Sequence, residues 1–174
     1  MSTIGVAIAI PEPYGSQLRR HRAAFGDQRA GTIPTHLTLL PPTPVAADDM
    51  EQIEKHLELV ASRHPRFRMK LRGTATFRPV SPVVFVAVAE GISACELLAA
   101  DVRSDLLHQE LRFPYHPHVT VAHDVEDDAL DRAFHALADY ECCFDVVEFH
   151  LYVHGEDQVW RSQRSFALAR QAPM

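Results

Sequence analysis

Cysteine is scarce in this sequence, with Cys95, Cys142 and Cys143 the only three in 174 residues. Two are adjacent and none forms the C-x-x-C pair of a structural zinc site, so free thiols in a reducing compartment are expected. Also missing is any run near the roughly 18 to 20 apolar residues that a membrane span needs. The opening MSTIGVAIAIPEP has no basic region of the kind that begins a secretory signal. A cytoplasmic protein with no membrane partner is expected. Positive charge is not in excess either, because 17 Lys and Arg against 23 Asp and Glu leave a formal charge of −6. That weighs against a basic track along duplex nucleic acid. A small phosphate ester or an RNA terminus needs only local positive potential and stays compatible.

What is present fits one folded body. Hydrophobic residues make up 47% of the chain and charges of both signs are spread along it, which gives no sign of disorder. The length suits one domain over residues 1–174, working by default as a monomer. Histidine is the unusual residue: there are eleven, with His116, His118 and His123 close together and then His150 and His154.

Local patterns predict an α+β chain. Ile4 to Ile10 reads as a buried strand ended by Pro11 and Pro13. Gln17 to Phe25 reads as a helix with Leu18 and Phe25 inward and its arginines outward. Thr35 to Leu40, bracketed by Pro34 and Pro41-Pro42, is a short strand. Asp48 or Asp49 can cap a helix that runs to Ser62, with Met50, Ile53, Leu57 and Val60 at helical spacing. Phe67 to Phe77 alternates like a half-buried strand, and Val83 to Ala89 is strongly apolar. A helix from Ser93 to Gln109 would turn Leu97, Leu98, Val102, Leu106 and Leu107 inward. Val119 to Ala122 is a second short strand, Glu126 to Ala138 a helix, and Cys142 to Val153 with Val159 to Ala169 a closing pair joined around Gly155.

Two tripeptides stand out in this layout. His36-Leu37-Thr38 and His118-Val119-Thr120 each lie on a short strand, and each is followed by a helix and an alternating strand, which predicts internal duplication. Residues i and i+2 of a strand share a face, so each motif presents one imidazole beside one hydroxyl, with Leu37 and Val119 turned to the apolar side. Two halves packed about a pseudo-twofold axis would set the imidazoles on either side of a phosphorus atom. One neutral imidazole can then take a proton from water or a hydroxyl while the other, protonated, gives one to the leaving oxygen. The threonine hydroxyls would hold the non-bridging oxygens. The scheme requires no cofactor and no metal, and it predicts a bell-shaped rate profile with limbs near neutral pH.

HLTLLPP and PYHPHVTVAH resemble the paired His-x-Thr/Ser motifs of the two-histidine phosphoesterase superfamily, which includes 2′-5′ RNA ligase-like proteins and cyclic phosphodiesterases. The opening strand, VVFVAVA and the terminal EFHLYVHGEDQVWRSQRSFALA are similar to that family's layout as well. The resemblance implies a bilobed, internally duplicated α+β fold, with two antiparallel sheets lining a central cleft and helices outside. It implies His36 and His118 as catalytic residues and Thr38 and Thr120 as phosphate-binding residues. The implied substrates are 2′,3′-cyclic phosphates or 2′-5′ phosphodiesters of RNA ends or small nucleotides. Many members carry Arg or Lys three residues after the second threonine, where this chain has His123, a possible substrate contact.

Other residues carry competing readings. Tyr115 and Phe113 precede the second motif, where a ring could stack on a nucleobase or simply pack in the core. A zinc site on His116, His118 and His123 is disfavoured, because His118 and His123 differ by an odd number and should point to opposite faces of a strand. His150, Tyr152 and His154 share a face that is expected to meet solvent, with lining of the cleft as the alternative. Arg78 and Arg112 could lie near the cleft without being catalytic. Two other functions compete: a non-catalytic nucleotide- or RNA-binding module, and a phosphodiesterase on a non-nucleotide phosphoester.

Overall fold

The computed structural model describes residues 1–170. Strand β1 (Ser2–Ala9), helix α1 (Tyr14–Ala24), β2 (His36–Val45) and α2 (Met50–Arg63) are followed by β3 (Phe67–Thr76) and β4 (Val83–Glu90). Then come α3 (Ile92–Val102), β5 (His118–His123), α4 (Asp127–Ala136), β6 (Glu141–Val146), β7 (Glu148–His154) and β8 (Trp160–Ala167). The strands form two four-stranded antiparallel sheets, ordered β2-β1-β7-β8 and β5-β4-β3-β6. No helix among the described residues is long and apolar enough to cross a membrane.

Each sheet has one face closed by helices. Ile4, Val6 and Ile8 of β1, Phe149 and Leu151 of β7, Leu71 of β3, and Val84 and Val86 of β4 are buried there. Each such side chain contributes about 1.5–3 kcal/mol on burial. The helices exchange partners across the molecule. α1 follows β1 yet packs against β5, and α3 follows β4 yet packs against β2. This exchange binds the halves together and brings the edge strands β2 and β5 alongside each other.

Several elements depart from the sequence expectation for identifiable reasons. β2 runs through Pro41, Pro42 and Pro44 rather than stopping at Leu40, which an edge strand permits because its open side needs no amide donors. α3 stops at Val102, not Gln109. His56 on α2 donates to the Val102 carbonyl at 3.0 Å, and Asp105 takes a positive φ of 51°. Leu97 and Leu106 therefore face solvent, and the inward stripe is Cys95, Leu98, Ala99 and Val102. The arginines of α1 are not all outward, since Arg22 lies on the buried stripe with Gly15 and Leu18.

The closing segment Cys142 to Val153 is two strands rather than one. At the half-exposed Val147 the chain leaves the edge of β3 and enters the other sheet between β1 and β8. The repeat read from the sequence thus holds through the helices β2-α2 and β5-α4. It breaks at the next strand, because β3 and β6 pair with each other. The strand that sits beside β1 as β3 sits beside β4 is β7.

Candidate active site

The two motifs share a backbone device. On β2, Thr38 pairs with Ala7 and Leu40 with Val6, so Leu39 is an extra residue; on β5, Thr120 pairs with Phe85 and Ala122 with Val84, so Val121 is extra. A β-bulge therefore follows the threonine in both halves, and bulges re-aim side chains. The burial order is the same in each, with His and Thr half-buried, Leu37 and Val119 sealed, and both residues after the threonine buried. Past the bulge the alternation is inverted. His123 consequently returns to the face of His118 and Thr120, and the expectation that it points the opposite way is wrong.

Both imidazoles are oriented identically. His36 Nδ1 donates to the Pro34 carbonyl at 2.7 Å and His118 Nδ1 to the His116 carbonyl at 2.7 Å. With Nδ1 committed, Nε2 is the nitrogen left to exchange a proton. Burial pulls the pKa of His36 down to about 4, and the nearby charges of Arg22 and His118 add to this. The pKa of His118 is lowered chiefly by burial, then by His116 and His123. Thr38 and Thr120 sit beside these rings, and neither hydroxyl has a hydrogen-bond partner among the described residues.

The surroundings differ. Beside His36 and Thr38 the floor is Gly5 and Ala7, walled by Tyr152 and Trp160, and it holds about 40 Å³ of free space. A Cβ on Gly5 would stand 3.4 Å from the Trp160 ring, so glycine lets that ring lie on β1. Tyr152 is thus buried in the cleft rather than facing solvent, while His154 packs on Trp160 at 4.6 Å between centroids and His150 Nδ1 bonds Ser162. His118 instead meets Phe77 and Phe85 edge-on at 5.0 and 5.2 Å, with His116 against the same two rings. The adjoining cleft is about 560 Å³ and is lined by Thr38, Phe77, Val80, Phe113, Tyr115 and His118, with Arg112 at its edge.

Tyr115 acts as a strut. Its hydroxyl donates to the Thr38 carbonyl at 2.7 Å, joining the second half to the open edge of β2, and burial holds the phenol protonated. Only its ring faces the cleft, over which Arg103 lies at 5.2 Å. His123 is engaged by Arg29 through Nδ1 and by Asp124 at 3.4 Å, and its backbone N–H donates to Asp27 at 2.9 Å. Burial and then Arg29 lower its pKa. Arg78 pairs with Asp131 on α4, and the cysteines are unpaired. Among the described residues no group of three or more His, Cys, Asp and Glu side chains is placed to hold a metal ion.

Residues missed in the sequence are Gly5, Ala7, Trp160, Phe77, Phe85 and Arg22, while for Tyr152 the less favoured alternative holds. The alternation of small and large residues in IGVAIA was a readable signal that one face of β1 leaves room.

Residues 10–158 match the family described as the 2′-5′ RNA ligase superfamily. A Bacillus cytotoxicus protein named "Putative phosphoesterase" is 27% identical over 148 residues, covering 83% of this chain and 84% of its own. The fold is similar to Escherichia coli LigT complexed with 3′-AMP, with a TM-score of 0.71 and 20% identity over 97% of this chain and 98% of that one. LigT complexed with NADP+ gives 0.69 and 21% over the same shares.

Proposed function

The chain belongs to the 2′-5′ RNA ligase superfamily, and from that premise we propose that it is a metal-independent phosphodiesterase opening 2′,3′-cyclic phosphates of RNA ends or small nucleotides. The observation that carries this reading is the pair of bulged edge strands, set alongside each other, each bearing one imidazole held at Nδ1 and one unpartnered threonine hydroxyl. One imidazole takes a proton from water as its oxygen bonds to phosphorus. The bond from phosphorus to one ribose oxygen breaks, and the other imidazole, protonated, gives that oxygen its proton. The hydroxyls of Thr38 and Thr120 hold the non-bridging oxygens as charge develops. The product is a phosphomonoester.

The unequal room on the two sides favours a cyclic substrate. A cyclic phosphate carries one organic group, which the 560 Å³ side can take, leaving the 40 Å³ side for water. A 2′-5′ diester carries two, and its cleavage is the second reading, supported by the family. LigT's complexes with 3′-AMP and NADP+ support small nucleotides as ligands. In this reading the chain is one bilobed unit working as a cytoplasmic monomer.

A panel of 2′,3′-cyclic nucleotides, 2′-5′ dinucleotides and non-nucleotide diesters, assayed in excess chelator, tests the proposal. Fastest turnover on cyclic nucleotides is expected. Binding without turnover would identify a nucleotide- or RNA-binding module, and turnover of non-nucleotide diesters alone would move the substrate class.

A further inference from the structure

A buried cation lies where α1 packs on β5. Arg22 is only 7% exposed, on a helix stripe where an apolar residue would be expected. Its Nε donates to Asp27 Oδ2 at 2.8 Å, and the same oxygen accepts the His123 N–H at 2.9 Å, so Arg22 is fixed at the seam where α1 meets the end of β5. Neither terminal nitrogen of Arg22 has a hydrogen-bond partner among the described residues, yet neither is sealed from solvent; the only unpartnered side-chain atom buried that completely is Tyr140 Oη. The guanidinium charge is felt at His36 on one strand and at His123 on the other. A phosphodiester held between two imidazoles of lowered pKa gains from a permanent positive charge, and the pKa of His123 is itself lowered, by burial and then by Arg29.

We propose that Arg22 binds the phosphate group, its terminal Nη atoms donating to a non-bridging oxygen, and so supplies from α1 the charge that an Arg or Lys at position 123 supplies in many relatives. Arginine suits this, because Nε can hold Asp27 while the outer fork addresses the anion. Asp27 is then a positioning residue. The inference rests on the reading that the cleft takes a phosphoester, but its test uses binding rather than turnover, so an inactive enzyme would refute that reading and leave this one standing.

Inorganic phosphate titrated by calorimetry into the full chain and into Arg22→Gln and Asp27→Asn separates ligand contact from scaffolding. Arg22→Gln should weaken phosphate by about tenfold or more, whereas Asp27→Asn, whose amide oxygen still accepts from Arg22 Nε while a competing negative charge is removed, should leave it equal or tighter. Parallel weakening in both variants, or unchanged affinity in Arg22→Gln, overturns the proposal. If circular dichroism shows Arg22→Gln unfolded, arginine Nη signals of the wild-type protein decide. A shift of the Arg22 signals at saturating phosphate is expected, and an unmoved signal refutes the contact.

Discussion

Around His36 the cleft is floored by Gly5 and Ala7 and closed by Tyr152 and Trp160, whereas His118 rests against Phe77 and Phe85 beside a much larger space. The backbones beneath are the same: an edge strand, a ring nitrogen held by the carbonyl two residues back, and a bulge after the threonine. The features common to both halves are those acid/base chemistry needs, namely imidazole orientation and a neighbouring hydroxyl. The features that differ set the room for the rest of a substrate. The likeness of the two halves thus lies in the backbone, which side-chain divergence cannot easily disturb.

The strongest way to break this comparison is to remove one imidazole at a time. His36→Ala and His118→Ala should each lower turnover of a 2′,3′-cyclic nucleotide by about a thousandfold; a large loss in one with full activity in the other would deny that the halves act together. Next, Thr38→Val and Thr120→Val should each cost about a hundredfold in kcat. Unequal losses would assign one threonine the larger share of the developing charge. Tyr115→Phe removes the strut to the Thr38 carbonyl and should cost about 1 kcal/mol of stability, read as a lower Tm, with about a tenfold fall in kcat. An unchanged rate would free the geometry of β2 from any dependence on the second half.

The smallest effect is on stability. The pKa of His36 is lowered to about 4 from 6.5 on folding, so the unfolded chain takes up a proton that the folded chain refuses. Stability is therefore complete above 6.5 and declines as pH falls toward about 4. Thermal melts across that window should show Tm falling with pH, with a shallower slope in His36→Asn.

Much of this was legible in the sequence, and the failures share a cause. His36, Thr38, His118 and Thr120 stood out because the motif occurs twice in matching contexts, and the structure gives both copies the same local geometry. The face of His123 was misjudged because a strict two-residue alternation passes over the adjacent apolar pair Val121-Ala122, matched by Leu39-Leu40, where the bulges lie. Arg22 was read as solvated by residue type, although α1 packs on β5 rather than on its own sheet. The break at Val147 was overlooked, although the apolar alternation shifts phase there, from Cys142, Phe144 and Val146 to Phe149, Leu151 and Val153, as the chain passes from one sheet to the other. The same reading expects the limbs of the rate profile near neutrality, and burial of the two imidazoles shifts that expectation toward acid.

That shift supplies the most direct test of the central claim. With the pKa of His36 near 4 and that of His118 below its usual 6.5, kcat/KM for a 2′,3′-cyclic nucleotide in excess chelator should be bell-shaped, with its maximum on the acid side of neutrality. A rate that climbs steadily through alkaline pH, or one that chelation abolishes, would contradict catalysis by two paired imidazoles.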